Sequence, residues 1–318
     1  MLDNIIFSAN AVFPLIVLIF FGMFIKTRKK LFANPKEFFN NVEKFVFNVA
    51  LPVYVFNEIS QAKSDEIFNI NLVLYSASGV IISFLLLIFI TPVFVKNKRT
   101  RGAFIQGAFR SNFAILGIPL AGNLFGETGS ASAVLILPFV ILLFNILAVV
   151  ILTVNSDEIQ DNNIKKIILG IVKNPLIIAI IIGLPLMLFK IELPLILQKS
   201  VNSIGNTSAP LALMSLGAGI DLQILRNKIK LSLTAALMKN VFLPVIFVLP
   251  AILLGFRDEA LTVIFVLFAA PTAVGSYIMA KNMRSDAELA AQIVALTTII
   301  CPATIFAGSF ILKSIGVI

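Results

Sequence analysis

Polar side chains beside prolines and glycines, in the middle of long apolar runs, are the residues of this sequence that could do chemistry. One such run, residues 111–120, reads SNFAILGIPL, and a later one, residues 270–282, reads APTAVGSYIMAKN. Proline removes a backbone hydrogen bond and clashes with the carbonyl four residues earlier, while glycine relaxes the backbone nearby. We therefore predict helices that break at Pro119 and Pro271 and leave carbonyl groups without helical partners.

Breaks of this kind suit the binding of an anion. They create helix N-termini, whose free N–H groups and partial positive charge attract negative groups, and in a membrane they must line a protected cavity. An inert proline kink is the alternative, which two matched kinks disfavour. The predicted substrate-binding residues are Ser111, Asn112, Gly117, Pro119, Pro271, Thr272, Gly275 and Ser276. Asn145, in another run, is predicted to hold helices together instead.

Three basic residues, Arg110, Lys173 and Lys239, fall about two turns inside apolar runs. Long basic side chains can reach back to the membrane surface, and this snorkelling is the simpler interpretation. The other interpretation is an electropositive vestibule that attracts organic anions. Arg110, which directly precedes Ser111, is the best candidate for it, together with Asn282.

The sequence lacks most residue types that enzymes and metal sites use. It contains no histidine and one cysteine, Cys301, so disulfides, zinc sites and neutral-pH acid–base catalysis have no support. No HExxH motif and no acidic pair lies inside an apolar run. We predict no enzyme activity, no cofactor and no metal site, and no motif identifies a coupling ion.

Composition indicates a membrane protein. Hydrophobic residues make up 59% of the 318 residues and charged residues 13%, and the mean hydropathy is +1.02, whereas about a quarter of an ordinary soluble domain is charged. The apolar runs reach the length of about 20 residues that crosses a bilayer. The predicted fold class is an all-α polytopic membrane protein. Its ten predicted spans lie near residues 5–25, 40–60, 70–95, 102–124, 130–153, 167–189, 194–220, 231–254, 260–281 and 287–316.

Basic residues predict the orientation of these spans. If the N-terminus is outside, 20 of the 25 Lys and Arg residues lie on the cytoplasmic side, as the positive-inside rule requires. The net charge of +9 is thereby explained without nucleic acid, because the basic residues form short clusters rather than one stripe. We predict a multi-pass protein of the bacterial inner membrane with both termini outside.

A weak internal repeat divides the chain into halves. Asn48 and Pro52 in the second span match Asn206 and Pro210 in the seventh, and the interrupted runs fall in the fourth and ninth spans. Because five is odd, two similar five-helix halves must insert in opposite orientations, which gives an inverted repeat. The predicted first repeat, cytoplasmic linker and second repeat are residues 1–153, 154–166 and 167–318.

These motifs resemble the auxin efflux carrier family in its bacterial form, within the wider bile acid and auxin carrier superfamily. The resemblance covers essentially the whole chain. Its most specific part is the pattern N-x-x-x-x-G-x-P-L, matched by Asn112, Gly117, Pro119 and Leu120. The match in the ninth span is looser and depends on Pro271 and Gly275.

The resemblance implies that the fourth and ninth helices are broken and cross each other, with Asn112, Pro119 and Pro271 at the crossover. It implies a transporter of small organic anions, carboxylates such as malate or malonate, in the lipid bilayer. In the implied elevator-like motion, spans 3–5 and 8–10 form a transport domain that shifts against a scaffold of spans 1, 2, 6 and 7. A homodimer through the scaffold fits the same resemblance. The alternative is a channel or membrane sensor with this fold and no coupled transport.

Overall fold

The computed structural model describes residues 2–28, 32, 34–61, 69–155, 175–219 and 228–318. In these ranges every regular element is a helix, apart from one isolated β-bridge. The prediction of an all-α chain is confirmed. Lys173 and most of the predicted linker 154–166 lie outside the described residues.

Six helices are described in the first half of the chain. They are α1 (Leu2–Thr27), α2 (Pro35–Phe45), α3 (Leu51–Gln61), α4 (Ile70–Phe94), α5 (Lys98–Phe109) and α6 (Ile118–Val154). Wide π-helical turns, Val46–Ala50 and Phe113–Gly117, lead into α3 and α6. The path of α6 breaks at Gly126, whose φ of 61° and ψ of −142° are essentially restricted to glycine. This break falls between the predicted spans 102–124 and 130–153.

In the second half, the described residues form eight helices. They are α7 (Pro175–Leu188), α8 (Leu195–Gly205), α9 (Ser208–Gly219), α10 (Ile229–Leu237), α11 (Leu243–Leu253), α12 (Asp258–Ala269), α13 (Gly275–Asn282) and α14 (Ala287–Ser314). Another π-helical turn, Met238–Phe242, joins α10 to α11.

Several helical stretches are long and apolar enough to cross a membrane. In the described part of the chain, four stretches meet this condition: Ile70–Phe94, Phe113–Val154, which includes the break at Gly126, Ile229–Leu253 and Ala287–Ser314. A fifth is α1, if its two parts, bent by 40° at Ala11, count as one span. Other predicted spans are divided into shorter helices, such as α8 with α9 and α12 with α13, because the chain leaves the helix between them.

Each π-helical turn in the described ranges precedes a proline: Pro52, Pro119 and Pro244. Proline clashes with the carbonyl four residues earlier, and a π-helical turn moves that carbonyl by widening the helix. Before Pro119, the N–H of Ile118 donates to the carbonyl of Phe113, five residues back. The helix therefore continues past Pro119. The prediction of a break at Pro119 is wrong, because the chain leaves the helix earlier, at Arg110–Asn112.

Helices from the two halves pack on each other in matching pairs. Helix α1 packs on α9, and α7 packs on α3. In the first pair the backbones touch: a methyl group added at Gly22 would lie 1.9 Å from the carbonyl oxygen of Met214, and one at Gly217 would lie 1.9 Å from that of Ile19. Small residues allow this close approach in membrane bundles.

Asp286 joins the starts of three helices. Its carboxylate accepts hydrogen bonds from the N–H of Leu289 in α14, the hydroxyl of Thr100 in α5 and the ammonium of Lys228, which precedes α10. Burial raises the pKa of Asp286, but the hydrogen bonds from Lys228, Leu289 and Thr100 outweigh this effect and hold the pKa below its ordinary value. The carboxylate thus remains ionised and fixes these helix ends relative to one another.

Candidate functional site

Two short segments, extended where they pair with each other, meet where two helices are interrupted. The first, Arg110–Asn112, follows α5, and the second, Ala270–Ala273, lies between α12 and α13. Ser111 and Thr272 pair as an antiparallel β-bridge. We call this meeting point the crossing. It brings together residues that are about 160 positions apart in the sequence.

Hydrogen bonds across the crossing satisfy main-chain groups that the interrupted helices would otherwise leave bare. The N–H of Asn112 donates to the carbonyl oxygen of Pro271 at 2.7 Å. The hydroxyl of Thr272 donates to the carbonyl oxygen of Gly107 at 2.6 Å, and its N–H donates to the hydroxyl oxygen of Thr297 at 3.1 Å. The crossing is therefore a fixed, hydrogen-bonded junction between α5, α12 and α14.

Four buried side-chain atoms at or beside the crossing have no hydrogen-bond partner among the described residues. They are Ser111 Oγ, Asn112 Nδ2, Ser276 Oγ and Gln106 Oε1. All four residues are at most 6% exposed. Leaving such an atom unpaired costs about 1–3 kcal/mol. Two hydroxyls and one amide N–H₂ can donate hydrogen bonds, which suits the oxygen atoms of a bound anion.

Arg110 places a guanidinium group at the crossing. Its Nη2 donates to Asn145 Oδ1 at 2.8 Å, and its Nη1 contacts the sulfur of Met279 in α13. A methyl group added at Gly275, the first residue of α13, would lie 3.6 Å from Nη2. The positive charge thus lies beside a helix N-terminus, and Asn145 joins two parts of the bundle as predicted.

Lys239 places a second cation behind the crossing. It lies in the π-helical turn between α10 and α11 and is fully buried. Its Nζ donates to the carbonyl oxygen of Phe268 at 2.7 Å and lies 3.5 Å from that of Leu267, the carbonyl four residues before Pro271. The snorkelling interpretation is therefore wrong for Lys239. The ammonium instead faces the negative end of α12, where a cation is stabilising.

Two neighbours complete the end of α12. Asn240 Nδ2 donates to the carbonyl oxygens of Ala269 and Thr297 at 3.2 and 3.3 Å, and Cys301 Sγ lies 3.7 Å from the carbonyl oxygen of Ala269. Sequence reasoning named Lys239 only as a residue that could reach the membrane surface or an anion vestibule, and it did not name Asn240. The available signal was an Asn four residues before Pro244, the same spacing as Asn48 and Pro52.

The remaining predicted site residues have other positions. A methyl group added at Gly117 would lie 2.4 Å from the ring of Phe113, so a neighbouring ring fills this space. Pro119 lies in the first turn of α6 and is half-buried. Asn282 is the last residue of α13, and its side chain is outside the described part of the structure. The crossing itself is formed by the residues around Ser111, Asn112, Pro271 and Thr272.

Replacing Thr297 with valine should destabilise the crossing by about 1–3 kcal/mol, because the buried N–H of Thr272 would lose its acceptor. Thr298→Val is the matched control. Both hydroxyls donate to the carbonyl four residues earlier in α14, but that of Thr297 also accepts the bond from Thr272. Thermal unfolding in detergent measures both variants. Equal losses of stability would show that the bond to Thr272 contributes nothing.

Comparison with known families shows the class of proteins to which this chain belongs. A family model described as "Membrane transport protein" matches residues 7–307. The chain belongs to this family. It is the family of the auxin efflux carriers, so the resemblance in the motifs is confirmed. Membership in this transport family and the long apolar helices together identify a multi-pass membrane protein.

Two relatives extend over almost the whole chain. One, from Rhizobium meliloti (strain 1021), is named "Putative malonate transporter" and is 25% identical over 313 residues, which is 95% of each chain. The other, an uncharacterized transporter from Methanocaldococcus jannaschii, is 23% identical over 297 residues, which is 91% of this chain and 94% of the relative. The family match, over residues 7–307, includes both segments of the crossing.

Proposed function

We propose that this protein is a secondary transporter of small organic anions, carboxylates such as malonate or malate, which bind at the crossing. The charge there carries the proposal. Arg110 and Lys239 contact neutral acceptors, and no carboxylate of the described residues pairs with either. Lys239 is fully buried and Arg110 is half-buried, and a cation withdrawn from water is costly without a negative partner, which a bound carboxylate would supply.

The unpaired donors favour the same ligand. Ser111 Oγ, Asn112 Nδ2 and Ser276 Oγ are buried and without partners among the described residues, and a carboxylate offers two oxygens that accept several hydrogen bonds. Ser276 lies in the first turn of α13, whose N-terminus carries partial positive charge. The name of the relative from Rhizobium meliloti supports malonate as the first candidate.

We also propose that the bundle has ten spans in two inverted five-helix repeats. The packing of the helices supports this repeat. If each span is replaced by the span five places later in the chain, an observed contact between two spans becomes another contact that is also observed. The first span packs on the seventh as the sixth packs on the second, through α1 with α9 and α7 with α3. Likewise the fourth packs on the tenth through α5 with α14, and the ninth packs on the fifth through α12 with the part of α6 after Gly126, where the hydroxyl of Thr128 donates to Glu259.

The proposed motion is an elevator-like shift between two sides of the membrane. Helices α1, α3, α7, α8 and α9, from spans 1, 2, 6 and 7, contact one another and would form the scaffold. The crossing and the helices bound to it, from spans 3–5 and 8–10, would move together with the substrate. The distribution of basic residues supports an inner-membrane orientation with both termini outside.

Thermal unfolding of the purified protein with a panel of ligands tests the substrate class and the site. The panel contains malonate, malate, succinate, lactate, indole acetate, amino acids and sodium ions. A carboxylate at 100 times its dissociation constant should add about 2.7 kcal/mol to the stability. Asn112→Ala should lose most of this gain, because a donor at the crossing is removed. Asn48→Ala should retain it, since Asn48 is exposed and bonds to Lys44 of its own helix.

Transport in liposomes separates a carrier from a channel. Saturable uptake and counterflow of the stabilising carboxylate are expected of a carrier, whereas a channel would give conductance that does not saturate. The proposal fails if amino acids or cations alone stabilise the protein. It also fails if Asn112→Ala responds to the carboxylate as the parent protein does.

A further inference from the structure

We propose that Lys239 gains one proton when the anion binds at the crossing and loses it when the anion leaves, so that each anion crosses the membrane with a proton. This inference rests on the proposed transport of carboxylates. It assigns a coupling ion and the residue that carries it, for which the sequence has no motif.

The position of Lys239 connects it to the substrate site. Its Nζ bonds to the carbonyl of Phe268, two residues before the extended segment that begins at Ala270. Both the neutral amine and the ammonium can donate an N–H to this carbonyl. The end of α12 therefore keeps its partner in either protonation state, and a proton can enter or leave without breaking the crossing.

The helices packed against Lys239 place no negatively charged side chain of the described residues next to it. In α14, Cys301 lies beside the end of α12, whereas Glu288 and Lys313 lie in the first and last turns, 13 residues before it and 12 after it. Helix α5 ends beside Arg110. In α12 the acidic residues Asp258 and Glu259 lie in the first turn, nine or more residues from Phe268 and thus roughly 14 Å away. Helix α10 contributes Lys230, near its start. An anion at the crossing would be the nearest full negative charge.

The binding of the anion and the binding of the proton must then influence each other. A buried ammonium is costly alone and less costly beside a negative charge, so a bound carboxylate favours protonated Lys239. By linkage, protonated Lys239 favours the bound carboxylate by the same factor. The charges balance simply: the amine takes a proton from the solution that supplies the anion, and returns it to the solution that receives the anion.

The test is the affinity for malonate between about pH 7 and pH 10, where malonate stays ionised while a lysine can titrate. For the parent protein we expect the dissociation constant to rise with pH, by up to about tenfold per pH unit. In weakly buffered solution, malonate binding should also remove one proton per site. Lys239→Arg should bind malonate without this pH dependence, because arginine keeps its charge.

Two controls identify the titrating group. Cys301→Ala removes the other titratable side chain at the end of α12 and should leave the pH dependence unchanged. Lys239→Met should bind malonate more weakly, with no pH dependence, if it folds. A parent protein whose malonate affinity is constant over this range overturns the inference while leaving the carrier intact. Loss of the pH dependence in Cys301→Ala also overturns it, since the thiol would then be responsible. A parent protein that binds no carboxylate at pH 7 instead refutes the proposed function.

Discussion

Arg110→Gln should weaken the binding of a carboxylate by roughly 10- to 100-fold, because a charge-assisted hydrogen bond contributes about 1.5–3 kcal/mol. The guanidinium is held at the crossing by Asn145 and lies beside the start of α13, so its charge acts where the anion would bind. Glutamine keeps a polar side chain but no charge. Titration of the purified protein with malonate, at low and high ionic strength, measures the loss. At high salt the difference between Arg110→Gln and the parent should become smaller.

Arg257→Gln is the matched control for this prediction. Arg257 is also an arginine that donates to neutral acceptors, the carbonyl oxygens of Ile252 and Phe256, but it is exposed and lies at the start of α12, the helix end away from the crossing. Its removal should leave the affinity unchanged. If Arg110→Gln binds malonate as tightly as the parent at every ionic strength, Arg110 has no role in attracting the anion.

Gly217→Ala should destabilise the protein by about 1–3 kcal/mol, the usual cost of forcing extra atoms into a packed interior. The added methyl group would lie 1.9 Å from the carbonyl oxygen of Ile19, and a backbone atom cannot move aside as a flexible side chain does. Helices α1 and α9 would have to separate. Thermal unfolding in detergent, and the monodisperse yield after purification, measure the effect.

Gly219→Ala is the control within the same helix. No atom of the described residues lies within 4 Å of the methyl group that this substitution adds, and alanine is the better helix former by about 1 kcal/mol. We expect equal or slightly higher stability for this variant. Equal behaviour of Gly217→Ala and Gly219→Ala would mean that α1 and α9 do not touch as closely as the structure shows.

Apolar runs were sufficient to predict the helical class and the positions of most helices. Helix α4 covers 70–94 where the run predicted 70–95, and α14 covers 287–314 where it predicted 287–316. Such runs are visible in the sequence because lipid imposes a length on them. The second interruption was also visible, since Pro271 cannot continue a helix without a displaced carbonyl.

The sequence could not predict the first interruption or the hydrogen-bond partners at the second. No proline stands at Arg110–Asn112, and this segment is extended because it pairs with Thr272 and Pro271, far along the chain. Lys239 likewise reads as a residue that could reach the membrane surface. Its actual partners are carbonyls of another helix, and only the packing of α11 and the π-helical turn Met238–Phe242 against α12 brings them within reach.

The burial of Lys239 also affects how the protein is made. Its carbonyl partners, at Leu267 and Phe268, follow it in the chain by 28 and 29 residues. When the translocon releases α10 and α11 into the bilayer, the ammonium therefore has none of its final partners, and a lysine at the centre of a helix costs about 2.5–3.5 kcal/mol during insertion. The apolar sequence of α11, LPVIFVLPAIL, must compensate for this cost until α12 arrives. Apolar residues here thus serve biogenesis as well as packing.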